Sequence, residues 1–297
     1  MTGMRLILTL LCRNEADVIG SMLDFHLSRG VDLIIATDNG SSDGTATVLQ
    51  AYADRGVLRL LHQPLQTHDQ AVWVTRMARM AAEHHGADWV INSDADEFWW
   101  PASGNLKAEL AAIPKAAQAL RVERRNFLPP EPDAAESLPF HQAQTIRERV
   151  SLNSCGRPLP PKVCHRAHPA ISIGDGNHAV TLDGQPLATT SCDGLEILHF
   201  PVRRYDQLER KIREGTESLI ANPRVDPKVG DTWRHLYSQH LLRGTLPAYY
   251  SGLRPPPPAL EAGLARGDLI DDRRLQEALS MRRHLDRPIS DACSNDM

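Results

Sequence analysis

A doubly wound α/β fold, with a Rossmann-like and mostly parallel sheet flanked by helices, is predicted by three observations on this 297-residue chain. Short apolar runs alternate with amphipathic stretches over the first hundred residues, in the order βαβαβαβ. Three polar loops, at residues 12–15, 38–45 and 92–97, each follow one of those runs. An Asp-x-Asp pair, Asp94 and Asp96, stands at the end of the fourth run. Ligands of such sheets lie beyond the carboxyl ends of the strands, so the three loops are expected to line one crevice.

The elements follow in order. Arg5 to Leu11 is a continuous apolar run of the length and kind expected from a strand buried on both faces, and it is too short to span a membrane. Cys12-Arg13-Asn14-Glu15 breaks it, and Asp17 to Ser28 reads as an amphipathic helix with Val18, Ile19, Met22, Leu23 and Leu27 on its apolar side. Residues 32–37 give a second strand, and the turn-rich loop Asp38 to Thr45 leads into a helix over 46–55. A third strand fits 57–62, a helix covers 69–85, and 87–92 is the strand that delivers the carboxylates. Beyond Trp100, prolines at 129, 130, 132 and 139 suggest a long loop, after one more partly alternating strand over 120–127. Residues 203–219 read as a helix with one basic face. Arg254 followed by four prolines reads as a stiff linker, and 259–285 as a charged, helical C-terminal appendage with a frayed end at 290–297.

Residues i and i+2 of an extended segment face the same side, so Asp94 and Asp96 can address one ligand together. Carboxylates are hard donors suited to Mg²⁺ or Mn²⁺, and Mg²⁺ takes one or two of them while keeping positions for water or phosphate oxygens. A diphosphate on a divalent cation is the chemistry this pattern suits. The competing reading is a solvated acidic turn, since so short a motif matches by chance.

Taken in order, Cys-Arg-Asn-Glu at 12–15, Asp-Asn-Gly-Ser-Ser-Asp-Gly-Thr at 38–45 and Asp-Ala-Asp-Glu-Phe at 94–98 resemble the family 2 glycosyltransferases with a GT-A fold. The closest likeness is to the branch with an Asp-x-Asp-Glu-Phe motif and a later His-Phe-x-x-Arg segment, here His199 to Arg203. The resemblance implies a metal-dependent transfer of a sugar from a nucleoside diphosphate-sugar, UDP-sugar favoured, to a hydroxyl acceptor, with inversion. The acceptor that the resemblance implies is a glycan, a lipid-linked sugar or a small molecule. It also implies that Arg13, Asn14 and Glu15 line the nucleotide end of the donor pocket and that Asp38 contacts base or ribose. Gln70 would sit near the donor phosphates, Asp94 nearer the ribose and on the metal, and Asp96 on the metal. A late histidine sometimes completes the metal shell in such enzymes, which makes His199 the third candidate ligand beside Asp94 and Asp96. Asp43 and Thr45 read as structural, because an Asp or Thr there satisfies free backbone N–H groups at a helix start. Phe98 to Trp100 can stack on a base or a sugar, or pack as core.

Lys162 is a candidate phosphate contact, and His165, Arg166 and His178 are basic residues of the same half. For all of these, and for the basic face of 203–219, a structural or solvated role is the competing reading. An inverting transfer needs a carboxylate base. Glu148, set between Arg147 and Arg149 and so expected to be ion-paired, and Asp175, in a glycine turn near His178, are the two candidates.

Whole-chain bounds agree. The length suits one α/β domain over 1–250, with 1–100 as the donor half and 101–250 as the acceptor half, followed by the linker and tail at 251–297. A formal net charge of −4 argues against nucleic acid as a partner. Five cysteines, at 12, 155, 164, 192 and 293, lack zinc-type spacing and suit reduced thiols in a cytoplasmic setting. No signal peptide or membrane span is legible, and peripheral contact at the inner membrane face is left open. Two other readings stay beside the transferase. One is a nucleotidyltransferase, which would carry a glycine-rich phosphate loop that residues 10–15 lack. The other is a non-catalytic sugar-nucleotide-binding protein.

Overall fold

A computed structural model describes residues 3–64, 69–153, 156–223, 225–226 and 228–285. The first hundred residues form β1 (Leu6–Cys12), α1 (Ile19–Ser28), β2 (Leu33–Asp38), α2 (Thr45–Asp54), β3 (Leu58–His62), α3 (Gln70–His85), β4 (Trp89–Ser93) and β5 (Glu97–Pro101). The chain continues through α4 (Leu106–Ala111), β6 (Ala119–Val122), β7 (Arg124–Asn126), α5 (Pro132–Ser137), α6 (Phe140–Ala143), β8 (Ile146–Glu148) and β9 (Lys162–Arg166). Next come β10 (Ile171–Ile173), a 3₁₀ turn (Asp175–Asn177), β11 (Val180–Leu182), β12 (Gln185–Pro186), β13 (Thr189–Ser191) and β14 (Leu195–His199). The last third is α7 (Tyr205–Ala221), α8 (Asp231–Leu236), a π-helical turn (Tyr237–Leu241), α9 (Leu246–Gly252), α10 (Pro257–Arg266), β15 (Leu269–Asp271) and α11 (Arg274–Leu285).

Seven strands make the central sheet in the order β13-β6-β9-β4-β1-β2-β3. The β1–β2, β2–β3, β1–β4 and β13–β6 pairs are parallel, whereas β9 runs antiparallel to both β4 and β6. The sheet is therefore mostly parallel and flanked by helices, as expected of a GT-A-type fold. Alternation along β1 divides the core. Leu6, Leu8, Leu10 and Cys12 pack with residues of α1 and α2 on one face, and Ile7 packs with Val74, Met77 and Ala78 of α3 on the other. Both faces are buried, which is why β1 reads as a continuous apolar run rather than an alternating one.

Two segments differ from expectation. The strand foreseen over 120–127 is two strands, because after Val122 the chain leaves the central sheet and β7 joins a second sheet, β5-β14-β7. The proline-rich region foreseen as loop contains α5 and α6, with Pro132 in the first turn of α5, where a missing N–H costs nothing. In the tail, Pro257 and Pro258 likewise begin α10. Beyond it β15 pairs antiparallel with β8, and Leu275 and Leu279 of α11 join the main core, so the tail packs back on the domain. Cys12, Cys164 and Cys192 are free thiols. Cys155, Cys293 and the end expected to fray lie outside the described residues. Among the described residues no helix is long and apolar enough to cross a membrane.

Candidate active site

Parallel registry brings the loops together. Cys12 of β1 lies opposite Asp38 of β2, and Leu10 lies opposite Ser93 of β4, so residues 13–15, 38–45 and 94–96 leave the sheet at one edge. The antiparallel β9 begins where β4 ends, which sets Lys162 beside Asp94. Antiparallel pairing of β14 with β5 puts His199 opposite Glu97, next to Asp96.

The two aspartates have different surroundings. Asp94 accepts a hydrogen bond from Lys162 Nζ at 2.5 Å and another from Asn177 Nδ2 at 3.2 Å. Lys162 is 1 % exposed and also lies 3.2 Å from Glu97 Oε1. Burial alone would raise the Asp94 pKa, but Lys162 outweighs it and the carboxyl sits below its ordinary value. Glu97 is buried deeper, and desolvation pushes it up to about 7 despite Lys162. Asp96 is 2 % exposed, receives Lys211 Nζ of α7 at 2.6 Å on Oδ2, and has Arg203 Nη1 3.9 Å away. These cations, Lys211 foremost, overcome the desolvation of Asp96 and hold its pKa well below the carboxylate range.

The other oxygen, Oδ1 of Asp96, faces His199 Nε2 at 3.7 Å. His199 Nδ1–H donates to Asn126 Oδ1 at 2.6 Å, and Asn126 Nδ2 points to the carbonyl of Leu152 at 3.5 Å, which agrees with that amide orientation. Parallel pairing of β14 with β7, His199 against Asn126, makes this contact possible. Burial lowers the His199 pKa to about 3, so its ring is neutral and Nε2 carries a lone pair. Two acceptors thus confront each other. Ligands at about 2.1 Å from one ion can stand up to about 4.2 Å apart, so a divalent cation fits between them. Of the three residues expected to ligate a metal, Asp94 is paired with Lys162, and among the described residues no three His, Cys, Asp or Glu side chains gather as a metal site.

The loop at 13–15 is held by partners far along the chain. Arg13 Nε lies 3.2 Å from Glu214 of α7. Asn14, at φ 54°, donates from Nδ2 to Glu214 at 3.0 Å and accepts the Ser42 N–H at 2.8 Å. Glu15 accepts from Arg203, which also donates to Asp17 and to the carbonyl of Phe200. Asp38 is buried and accepts the Ser41 N–H at 3.3 and 3.4 Å. Thr45 Oγ1 donates to Asp43 at 2.6 Å and accepts the Glu15 N–H at 2.8 Å, a wholly structural pattern.

The remaining candidates are dispersed. Gln70 Oε1 accepts the Gly176 N–H at 3.0 Å, and Asp175 Oδ1 accepts the Ala71 N–H at 3.3 Å, so the two clasp the 3₁₀ turn to the start of α3. Glu148 is not held between its neighbouring arginines, which corrects the expected ion pair. Arg147 goes to Asp272 at 2.6 Å and Arg149 to the carbonyl of Gly267. Glu148 instead accepts the Leu152 N–H at 3.3 Å, and burial raises its pKa. His165 is fully buried, donating from Nδ1 to the Arg166 carbonyl at 2.9 Å. Phe98 and Trp99 are core, Phe98 packing edge-on against Phe25 and Phe200.

In the sequence Lys211 is one residue of the basic face of 203–219, and neither Asn126 nor Asn177 stands out. The signal for Lys211 was the helical period: Lys211 and Arg210 turn inward from α7, whereas Arg213 lies outside with Glu209. Nothing local marked either asparagine.

No family model matches the chain. Among solved structures, Staphylococcus aureus TarS residues 1–349 in complex with UDP has 13 % identity and a TM-score of 0.40, with 81 % of this chain and 74 % of that chain covered. Glucosyl-3-phosphoglycerate synthase from Mycobacterium tuberculosis, in complex with Mn²⁺, UDP and glucosyl-3-phosphoglycerate, has 16 % identity and a TM-score of 0.32, covering 56 % and 57 %. At such values neither likeness bears on ligand or reaction. Sequence similarity is more informative. The chain is 32 % identical over 223 residues to the lipopolysaccharide core biosynthesis glycosyltransferase LpsC of Rhizobium meliloti (strain 1021), an alignment covering 73 % of this chain and 76 % of that protein. The chain belongs to the glycosyltransferase family of LpsC.

Proposed function

We propose that the protein moves a sugar from a nucleoside diphosphate-sugar, UDP-sugar favoured, to a hydroxyl of a glycan acceptor, with inversion and with Mn²⁺ or Mg²⁺ as cofactor. The observation that carries this reading is the confrontation of Asp96 Oδ1 and neutral His199 Nε2 at 3.7 Å at the carboxyl edge of the sheet. Two protein ligands leave positions for donor phosphates, as hard cations at such sites prefer, and the imidazole nitrogen tilts the choice toward Mn²⁺. The bound cation would neutralise the charge that develops on the departing nucleoside diphosphate.

The other residues divide the remaining work. Asp38, at the end of β2, offers acceptor oxygens to a base N–H or ribose hydroxyl. Arg13 and Lys162 supply positive charge on either side of the aspartates, while Asn14, Glu15 and Gln70 hold the loops that frame the donor. Asp94, paired with Lys162, orients that lysine and addresses the ribose side. Of the two base candidates, Glu148 is favoured. Among the described residues no cation pairs with it, and burial raises its affinity for a proton, whereas Asp175 is committed to capping α3. The lipopolysaccharide core in the name of LpsC supports a glycan as acceptor, and residues 101–250, with the tail packed beside β8, are assigned to the acceptor half.

Calorimetry with UDP, GDP and their common sugars, each with and without Mn²⁺, tests the donor site on the wild type and Asp96→Ala. Metal-dependent binding that Asp96→Ala abolishes is expected. Binding that is indifferent to Mn²⁺, or none by either folded protein, would sink the reading.

A further inference from the structure

Lys211 occupies the Asp96 oxygen opposite the one that faces His199, and it differs from the other positive groups nearby in being partly exposed. Its Nζ is 2.6 Å from Asp96 Oδ2 and 3.5 Å from Glu15 Oε1, and its side chain is 27 % exposed at the end of a four-carbon stem. Arg203 is 1 % exposed and donates to Glu15, to Asp17 at 2.6 and 3.0 Å, and to the Phe200 carbonyl at 3.1 Å. Lys162 is 1 % exposed between Asp94 and Glu97. Those two are locked by several acceptors, and a planar guanidinium with every neighbour satisfied has nowhere to go. An ammonium on a flexible stem can swing.

We infer that Lys211 is a resident counter-ion of Asp96 that a divalent cation displaces, and that the displaced ammonium then takes an oxygen of the donor diphosphate. The inference rests on the donor-site reading above. Like charges so close to Asp96 oppose each other, so ammonium and metal compete for that carboxylate. The diphosphate arrives with the negative charge that Lys211 lost. Lys211 therefore opposes metal alone and favours metal with nucleotide, which makes the two ligands bind cooperatively. α7 participates directly, because the helix that carries Lys211 also reaches the 13–15 loop through Glu214 and through Arg210, whose Nη2 is 3.3 Å from the Asn14 carbonyl.

The test is calorimetric titration of full-length wild type and Lys211→Met, first with MnCl₂ alone, then with UDP at saturating Mn²⁺. Methionine keeps the apolar stem and removes the charge. Losing a competing charge-assisted contact is expected to tighten Mn²⁺ by about tenfold, and losing the same contact from diphosphate to weaken UDP by about tenfold or more. Opposite signs are the signature, since general damage to the site would weaken both. Mn²⁺ affinity that is unchanged or lower in the variant, or UDP affinity that does not fall, overturns the inference. Lys211→Gln, which keeps a hydrogen-bond donor without the charge, is the second variant should methionine disturb folding, with the same signs expected. Wild type that binds neither Mn²⁺ nor UDP overturns the donor-site reading; wild type that binds both, beside an unaltered variant, overturns the lysine's role alone.

Discussion

His199 could serve a cation, as proposed, in only one tautomer, and Asn126 selects that tautomer. With Nδ1–H committed to Asn126 Oδ1 at 2.6 Å, the lone pair is left on Nε2, toward Asp96. Partners of this kind orient a ligating ring and raise its basicity, and their loss typically lowers metal affinity by about 10- to 100-fold. Asn126→Ala is therefore expected to weaken Mn²⁺ binding by about tenfold, measured by calorimetry, while leaving the unfolding midpoint near that of wild type. Equal Mn²⁺ affinity would show that the imidazole is not a ligand. The carboxylates were legible in the sequence because they close an apolar run. Their partners were not, since Lys162 lies 68 residues beyond Asp94, Lys211 115 residues beyond Asp96, and Arg203 188 residues beyond Glu15.

At the scale of elements, the tail illustrates how one strand decides the role of two helices. Residues 259–285 read as helical, and α10 and α11 bear that out, but the three-residue β15 between them was not legible. A strand so short carries almost no periodic signal and exists because β8 offers it an edge. Once β15 is paired, Arg274 reaches Glu196 at 2.6 Å and Leu275, 1 % exposed, enters the main core. Leu275→Ala is expected to cost about 2–5 kcal/mol, read from urea unfolding. A change within a few tenths would mean that the tail does not contribute to the stability of the domain. The same logic separates β6 from β7: a single partly alternating stretch serves two sheets because its second half finds β14 rather than β9.

Across the whole molecule, buried histidines tie stability to pH. His26 and His165 are fully buried, and desolvation lowers each from an ordinary 6.5 to about 4. The unfolded chain binds protons on these rings between those values and the folded chain does not. Their contribution is therefore complete above pH 6.5 and is lost as pH falls toward 4, by up to about 3 kcal/mol per ring. Glu97, raised to about 7, acts in the opposite sense, so the informative quantity is a difference between variants. His165→Leu puts an apolar group on the face shared with Val163 and is expected to lose less stability than wild type between pH 6.5 and 4.5, measured by urea midpoints. Parallel curves would refute the assignment.

Sequence by itself determined the alternation of strands and helices over the first hundred residues, the three loops at the carboxyl ends of β1, β2 and β4, and the position of the Asp-x-Asp pair. These are local properties: periodicity, turn chemistry and the length of apolar runs act over a few residues. Tertiary structure alone decided which charges meet. It turned Asp94 to Lys162 and Asp96 to Lys211 and His199, left Glu148 without its neighbouring arginines, and folded the tail against β8. Burial and electrostatic pairing depend on elements that approach only after the chain has crossed the sheet and returned, and no short stretch of sequence records that return.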